Sequence, residues 1–192
     1  MRIVGGRYRG RKLDTPEGLD IRPTGERTRE ALFNILAHNR ALRGPSGPLP
    51  ADAAVLDVFA GSGALGIEAL SRGAASVTFI ENDRTALALI RRNLAGLEGC
   101  ETAILQRDAR KPGAASRAHD LVLMDAPYGQ GLSSPALAAL AAGNWLAAGA
   151  LAVVETAKDE ALDEIADFSP IESRAYGRGR LHLLRYRGAA TA

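Results

Sequence analysis

Apolar residues along this chain come in two rhythms. From residue 51 onward, short continuous runs alternate with longer stretches in which apolar positions recur every three or four residues. The runs predict buried strands over 54–59, 77–80, 103–106, 121–124 and 151–154, and the helical spacing predicts helices over 64–72, 84–97 and 135–142. Strands alternating with helices predict a mostly parallel sheet covered on both faces. Two further apolar segments, 173–176 and 181–186, flank Gly177-Arg178-Gly179. That is a hairpin signal, so the last strand is expected to run antiparallel.

The start of the chain follows another pattern. Ile3, Val4, Tyr8 and Leu13 lie among basic residues around Gly5-Gly6, which predicts a short hairpin or extended arm over 1–14. Pro16, Gly18, Pro23 and Gly25 mark a loop. A helix is expected over 24–38, capped by Thr24 or Gly25, with Glu26 in its first turn and Leu32, Ile35 and Leu36 as its apolar stripe. The segment 44–50, rich in glycine and proline, reads as a linker. Two regions are therefore expected: a basic N-terminal extension over 1–44 and an α/β domain over 51–189. No internal repeat is visible.

Composition changes this picture little. The 192 residues are enough for one substantial core, and 46% hydrophobic and 24% charged residues are ordinary for a soluble globular protein. The net charge of +2 is small, but its distribution is uneven. Residues 1–44 hold about twice as many Arg and Lys as Asp and Glu, and Arg174, Arg178, Arg180, Arg185 and Arg187 crowd the other end. Basic ends around a mixed centre predict two patches flanking a pocket, against the plainer reading of a solvated surface. The single cysteine, Cys100, excludes an internal disulfide and argues against a cysteine-built metal site. No stretch has the length and apolarity of a membrane span, and the N-terminus lacks a signal-peptide core. A cytoplasmic monomer without membrane contact is expected. His38, His119 and His182 are scattered and read as surface or packing residues.

Two motifs carry chemistry. Gly61-Ser62-Gly63-Ala64-Leu65-Gly66 fits the G-x-G-x-x-G pattern after a strand and before a helix, where glycines let backbone approach a ligand closely. Phe59, Ala60, Gly61, Ser62 and Gly63 are expected to line that ligand. Glu81 ends the next strand about twenty residues on, the spacing of an acid that accepts from ribose hydroxyls, with Asn82 beside it. Asp57, on the strand feeding the turn, would repel a pyrophosphate but tolerate an ammonium and a sulfonium. Asp108, after the third strand, can accept from an adenine amine, with the Ala109 amide as donor to the ring. The competing reading is that Asp57 and Asp108 cap turns.

The second motif is Asp125-Ala126-Pro127-Tyr128, delivered by the buried strand 121–124. A carboxylate, a stiff proline and an aromatic ring are what gripping a flat base requires: the ring stacks, and the carboxylate accepts from an exocyclic amine. Together the two motifs point to methyl transfer onto a nucleobase amine.

These residues, with the stretches 1–11, 22–34 and 56–69, closely resemble the bacterial RsmD family over nearly the whole chain. Those are S-adenosylmethionine-dependent enzymes that methylate guanine N2 in 16S ribosomal RNA. The resemblance implies a Rossmann-like class I methyltransferase fold: a seven-stranded, mostly parallel sheet with helices on both faces and an N-terminal extension. It also implies S-adenosylmethionine as cofactor, no metal, and the assembled or assembling small ribosomal subunit as substrate. The usual motif has two prolines after the acid, whereas here the first is Ala126. Alanine keeps the backbone carbonyl, the expected second acceptor for the target amine, and loses only the rigid φ. Phosphate contact is expected from Arg7, Arg9, Arg11 and Lys12, and from Arg22, Arg27 and Arg29, although Arg27 and Arg29 could instead pair with Glu26 or Glu30. Three other readings stand: a DNA adenine-N6 or cytosine-N4 methyltransferase using the same grip, a catalytically silent RNA-binding assembly factor, and, more distantly, a nicotinamide oxidoreductase.

Overall fold

The computed structural model describes residues 1–15, 25–44, 47–97 and 99–188. In chain order it contains α1 (Glu26–His38), β1 (Ala54–Val58), α2 (Ala64–Ser71), β2 (Ser76–Glu81), α3 (Arg84–Leu94), β3 (Glu101–Gln106), β4 (His119–Asp125), α4 (Ser133–Ala142), β5 (Leu146–Ala157), β6 (Phe168–Tyr176) and β7 (Gly179–Tyr186). The seven strands form one sheet in the order β3-β2-β1-β4-β5-β7-β6. The first five pair in parallel, and β7 runs antiparallel to both β5 and β6. Strand order reverses between β1 and β4, which leaves a crevice beyond their carboxyl ends.

Strand alternation sorts the core into two layers. Val55, Val77, Phe79, Leu121, Leu123, Leu151, Val153, Leu181 and Leu183 face one side, where Leu32, Phe33 and Leu36 of α1 and Ile67 of α2 cover them. Leu56, Val58, Ile80, Val122, Met124, Ala152 and Val154 face the other, under Ala136, Leu137 and Leu140 of α4 and the buried Trp145. Ile3 and Leu13 of the N-terminal arm, each almost fully buried, belong to the first layer, so the extension shares a core with the sheet. The arm is held as a narrow loop: the Ile3 N–H donates to the Arg11 carbonyl, the Gly10 N–H to Ile3 and the Leu13 N–H to Met1.

Where the elements depart from expectation, the reasons are local. The helix expected to reach residue 97 ends at Leu94, because Ala95 turns out of it and Gly96 adopts φ +75°. The strand expected over 151–154 runs from Leu146 to Ala157, its first half interrupted by Gly149 (φ +76°) and a register shift against β4, which hid its period. β6 starts five residues before the expected 173, since this sheet-edge strand carries exposed polar residues with no apolar run to mark it. Gly25 is the N-cap of α1; Thr24 lies outside the described residues. Among the described residues, no helix is long and apolar enough to cross a membrane.

Candidate active site

The carboxyl ends of β1, β2, β4 and β5 each carry an acid: Asp57, Glu81, Asp125 and Glu155. Alternation places all four on the face of Val55, Phe79, Leu123 and Val153. Their proximity is visible in Asp57, whose carboxyl is pushed well above its ordinary value by burial and, secondarily, by the charges of Asp125 and Glu81. The sheet thus gathers acidic groups around the crevice between β1 and β4, close enough that Asp125 and Glu81 oppose the ionisation of Asp57.

Between β1 and α2 the chain turns through Phe59 and Gly61 at φ +57° and +54°, and Gly63 at +77° is the N-cap of α2. Glycine is needed at the last two positions for that left-handed backbone. Around Gly61 the nearest atom to a would-be Cβ is the Phe59 carbonyl oxygen at 3.9 Å, so the loop leaves open space there. At Gly66 a Cβ would lie 2.5 Å from the Phe79 ring, which shows why the third glycine is needed for helix–strand packing. Asp57 is buried, and its Oδ2 accepts the Gly66 N–H at 2.8 Å. The capping reading of Asp57 describes its geometry, and any influence on a ligand acts through its field.

Glu81 is engaged more heavily than expected. Its Oε2 accepts the Gly61 N–H at 2.8 Å, and its Oε1 accepts the Asn82 and Asp83 N–H groups at 2.8 and 2.9 Å. A carboxylate offers about four acceptor positions, so about one remains for a ribose hydroxyl while Gly61 stays bonded. Asp108 lies beyond β3 and accepts from its neighbour: Oδ1 from the Arg110 backbone N–H (2.9 Å) and Nε (3.1 Å), Oδ2 from Nη2 (2.7 Å). Those Arg110 bonds hold its carboxyl below the ordinary value. The turn-capping reading also fits Asp108, and Ala109 beside it is buried. Ser62 and Ala60 are buried within the loop, and Asn82 is exposed at its rim.

β1 and β4 pair directly, with Val58 beside Met124, so Asp125 emerges next to Phe59 and the loop above it. Asp125 is half-buried, Ala126 buried and Pro127 exposed, while Tyr128 is 44% exposed, a large ring open to solvent. The Tyr128 hydroxyl donates to Glu155 Oε1 at 2.6 Å. The structure therefore brings the glycine loop, Glu81 and Asp125 to one end of the sheet, with the Tyr128 hydroxyl on the side of β5 and β7, against Glu155 and beside Gly179. The acid closing the run 151–154 was visible in the sequence, as were those closing β2 and β4, but the motif reading gave it no role. Asn93 of α3 was also missed. It donates to the Ser62 carbonyl at 2.9 Å and exchanges bonds with the Asp14 backbone at 2.8 and 3.1 Å, tying the N-terminal arm to the glycine loop.

The basic residues divide. Arg9, Lys12 and Arg27 are exposed. Arg7 is exposed too, lies 4.5 Å from the Tyr8 ring centre and donates to Cys100 Sγ. Arg11 instead donates to the Gly96 carbonyl at 3.1 Å and to that of Ala95, closing the C-terminus of α3, where a cation complements the helix dipole. Arg29 is fully buried, which corrects its expected phosphate contact. It sits 3.5 Å from the equally buried Glu68 and donates to the Arg2 carbonyl. Arg22 lies outside the described residues.

Comparison with known proteins decides the family. The model of the family described as Conserved hypothetical protein 95 matches residues 1–185. This chain belongs to that family. The Conserved hypothetical protein 95 family is the RsmD family, and among its members the chain is 40% identical over 166 residues to ribosomal RNA small subunit methyltransferase D of Escherichia coli K12, covering 86% of this chain and 79% of the relative. The Haemophilus influenzae protein of the same name is 35% identical over 182 residues, covering 92% and 89%. The solved structure of the yhhF protein of Escherichia coli superposes with a TM-score of 0.80 at 38% identity, covering 98% of both chains. The rRNA methyltransferase aviRa of Streptomyces viridochromogenes, at 20% identity and a TM-score of 0.68 over 90% of this chain and 88% of that one, shares the fold.

Proposed function

We propose that this protein transfers a methyl group from S-adenosylmethionine to the exocyclic N2 amine of a guanine in small-subunit ribosomal RNA, in the assembled or assembling particle in the cytoplasm. One observation carries the reading: Asp125-Ala126-Pro127-Tyr128 leaves β4 beside the glycine loop, at the point where strand order reverses. The names of its relatives support the RNA substrate.

The residues fit such a cofactor. The space left at Gly61 admits a ligand against the backbone, and the acids at the strand ends suit hydroxyls and positive charge. Glu81 would hold the ribose, Asp57 would supply field from beneath the loop, and Asp108 with the Ala109 amide would meet the adenine. Occupation by a ribose diol calls for Glu81 Oε2 to exchange the Gly61 N–H for a hydroxyl, a change confined to one loop. When bound, S-adenosylmethionine supplies a methyl group already activated by positive sulfur.

The chain's own residues then have to align the amine and stabilise charge growing on it. Guanine N2 is a poor nucleophile because its lone pair is delocalised into the ring. Asp125 and the Ala126 carbonyl accept its two protons and orient the lone pair. Tyr128 stacks on the base, a contact worth about 1–3 kcal/mol in single-strand binders. Pro127 stiffens the loop between them. Asp125 need not be a strong base, since the amine proton becomes acidic once the methyl has arrived and leaves late to carboxylate or water. The target must be unstacked or already in a loop to reach Tyr128.

The test is incubation of the protein with methyl-labelled S-adenosylmethionine and, separately, small subunits, large subunits and duplex DNA. Label confined to small-subunit RNA is expected. Label in duplex DNA, or none anywhere despite measurable cofactor binding, overturns the reading.

A further inference from the structure

Two carboxylates stand side by side at the carboxyl ends of β4 and β5. Asp125 and Glu155 are register partners on the parallel strands β4 and β5, so their side chains leave the same face about one strand spacing, roughly 4.8 Å, apart. One target amine does not need both. The surroundings of Glu155 say what the second is for. It is 7% exposed, whereas Tyr128, whose hydroxyl donates to its Oε1 at 2.6 Å, is 44% exposed. That distance is typical of a hydroxyl bonded to an ionised carboxylate, a strong and directional contact.

The neighbouring chain is shaped around the pair. On β7, Gly179 lies where a Cβ would come within 2.7 Å of Glu155 Oε1 and 3.1 Å of the Tyr128 hydroxyl. Its φ is not in the left-handed region, so space rather than backbone conformation excludes a side chain there. On the other flank of Tyr128, Glu160 Oε2 accepts the Gly129 N–H at 3.1 Å and the Ala157 N–H at 3.2 Å, fixing the loop just past the ring. Tyr128 is thus anchored through its hydroxyl and through the following residue, both to β5 and its exit, while its ring stays open to solvent.

We infer that Glu155 is a positioning residue for methyl transfer: by holding the Tyr128 hydroxyl it fixes the plane of the ring on which the target base stacks, leaving Asp125 alone to face the amine. This rests on the base-stacking role proposed for Tyr128. A tyrosine tethered only at Cβ samples several ring orientations, and most of them turn the base away from the reacting line. Tethering at both ends sets the orientation before substrate arrives, which converts into rate at saturating substrate rather than into cofactor affinity. Burial and the Glu155 carboxylate also push the phenol above its ordinary value, so it stays a donor throughout the working pH range.

The test is a double-mutant cycle read by single-turnover methylation of small subunits at saturating substrate. Glu155→Ala and Tyr128→Phe each slow the step by roughly tenfold, the double variant is no slower than either single one, and Glu155→Gln, which keeps an acceptor, restores most of the rate. S-adenosylmethionine affinity by calorimetry is unchanged in all of them. Losses that multiply in the double variant, or wild-type rates in both single variants, overturn the inference. A second measurement needs no methyl transfer: the tyrosinate absorbance lost in Tyr128→Phe reports the ionisation of this phenol. It is expected at high pH in the wild type and displaced toward the ordinary tyrosine value in Glu155→Ala, which removes the acceptor. An unchanged titration in Glu155→Ala overturns the clamp. A wild type that clamps Tyr128 in the titration but leaves small subunits unmethylated overturns the substrate reading alone.

Discussion

Replacing Arg29 with alanine tests the structure where it departs most from a reading of basic residues as RNA contacts. Arg29 and Glu68 are both fully buried, and their charged groups lie 3.5 Å apart. Burial pulls the guanidinium below its ordinary value and Glu68 opposes that pull, the signature of an ion pair in a poorly solvated place. Removing one member of a buried pair typically costs about 3–5 kcal/mol, because the other charge is left behind. Glu68 keeps two partners, Arg72 Nε at 2.7 Å and the Val4 N–H at 2.8 Å, which moves the expected loss to the lower end of that range. The hydrogen bond from Arg29 to the Arg2 carbonyl adds about 1 kcal/mol. The sum, about 4 kcal/mol, is a large fraction of the roughly 5–15 kcal/mol that holds a domain folded. Urea unfolding followed by the fluorescence of the chain's one tryptophan, the buried Trp145, reads it directly. With a slope of about 2 kcal/mol per molar urea, the midpoint falls by about 2 M. Replacing both partners, Arg29→Met with Glu68→Leu, recovers only part of the loss: the Glu68 charge is no longer stranded, but Arg72 Nε and the Val4 N–H lose their acceptor. An Arg29→Ala protein with an unchanged midpoint and weakened binding to small-subunit RNA would refute the buried-pair account.

Three further outcomes follow from the same structure. His119 is buried against Trp145, which lowers its folded-state value; the unfolded chain therefore takes up this proton first, so stability is complete above about pH 6.5 and is lost as pH falls through the folded value, at no more than about 1.4 kcal/mol per pH unit. Urea midpoints measured across that range should flatten in His119→Gln. The Asp57 carboxyl has the opposite sign, its folded value being raised, so its contribution is full below about pH 3.8 and is lost as pH rises through the folded value. Asp57→Asn, which keeps an acceptor for Gly66, should unfold at higher urea than wild type at neutral pH, the gain vanishing in acid; a lower midpoint at neutral pH would show that the loop amides stabilise the charge. Replacing the exposed Arg9 and Lys12 together with alanine should weaken binding to small subunits and reduce the salt slope by about 1 to 2, with cofactor affinity intact; an unchanged slope would remove these residues from the RNA surface.

Much of the architecture was legible because β1, β2, β4 and the second half of β5 are buried on both faces and read as continuous apolar runs, while turns are punctuated by glycine. Asp125 and Tyr128 could be brought beside Gly61 on paper, since each follows a buried strand. What escaped depends on tertiary packing. Arg29 lies three, four and seven residues before Leu32, Phe33 and Leu36, on the buried stripe of α1, whereas Arg27 does not; the helical period carried the signal, but its charge argued the other way until Glu68 of α2 supplied a partner. Arg11 could not be assigned to the end of α3 from sequence, because residues 95 and 96 meet it only through the fold. Asp57 and Glu81 were placed correctly at strand ends, yet their bonds to Gly66 and Gly61 depend on the conformation of the loop, which composition does not determine.

The most direct test is nucleoside mass spectrometry of small-subunit RNA from cells lacking this protein and complemented with either the wild type or Asp125→Ala. N2-methylguanosine at one site should be absent without the protein, restored by the wild type, and not restored by Asp125→Ala even though that variant still binds S-adenosylmethionine. The same N2-methylguanosine content in all three strains, or full restoration by Asp125→Ala, would contradict the account.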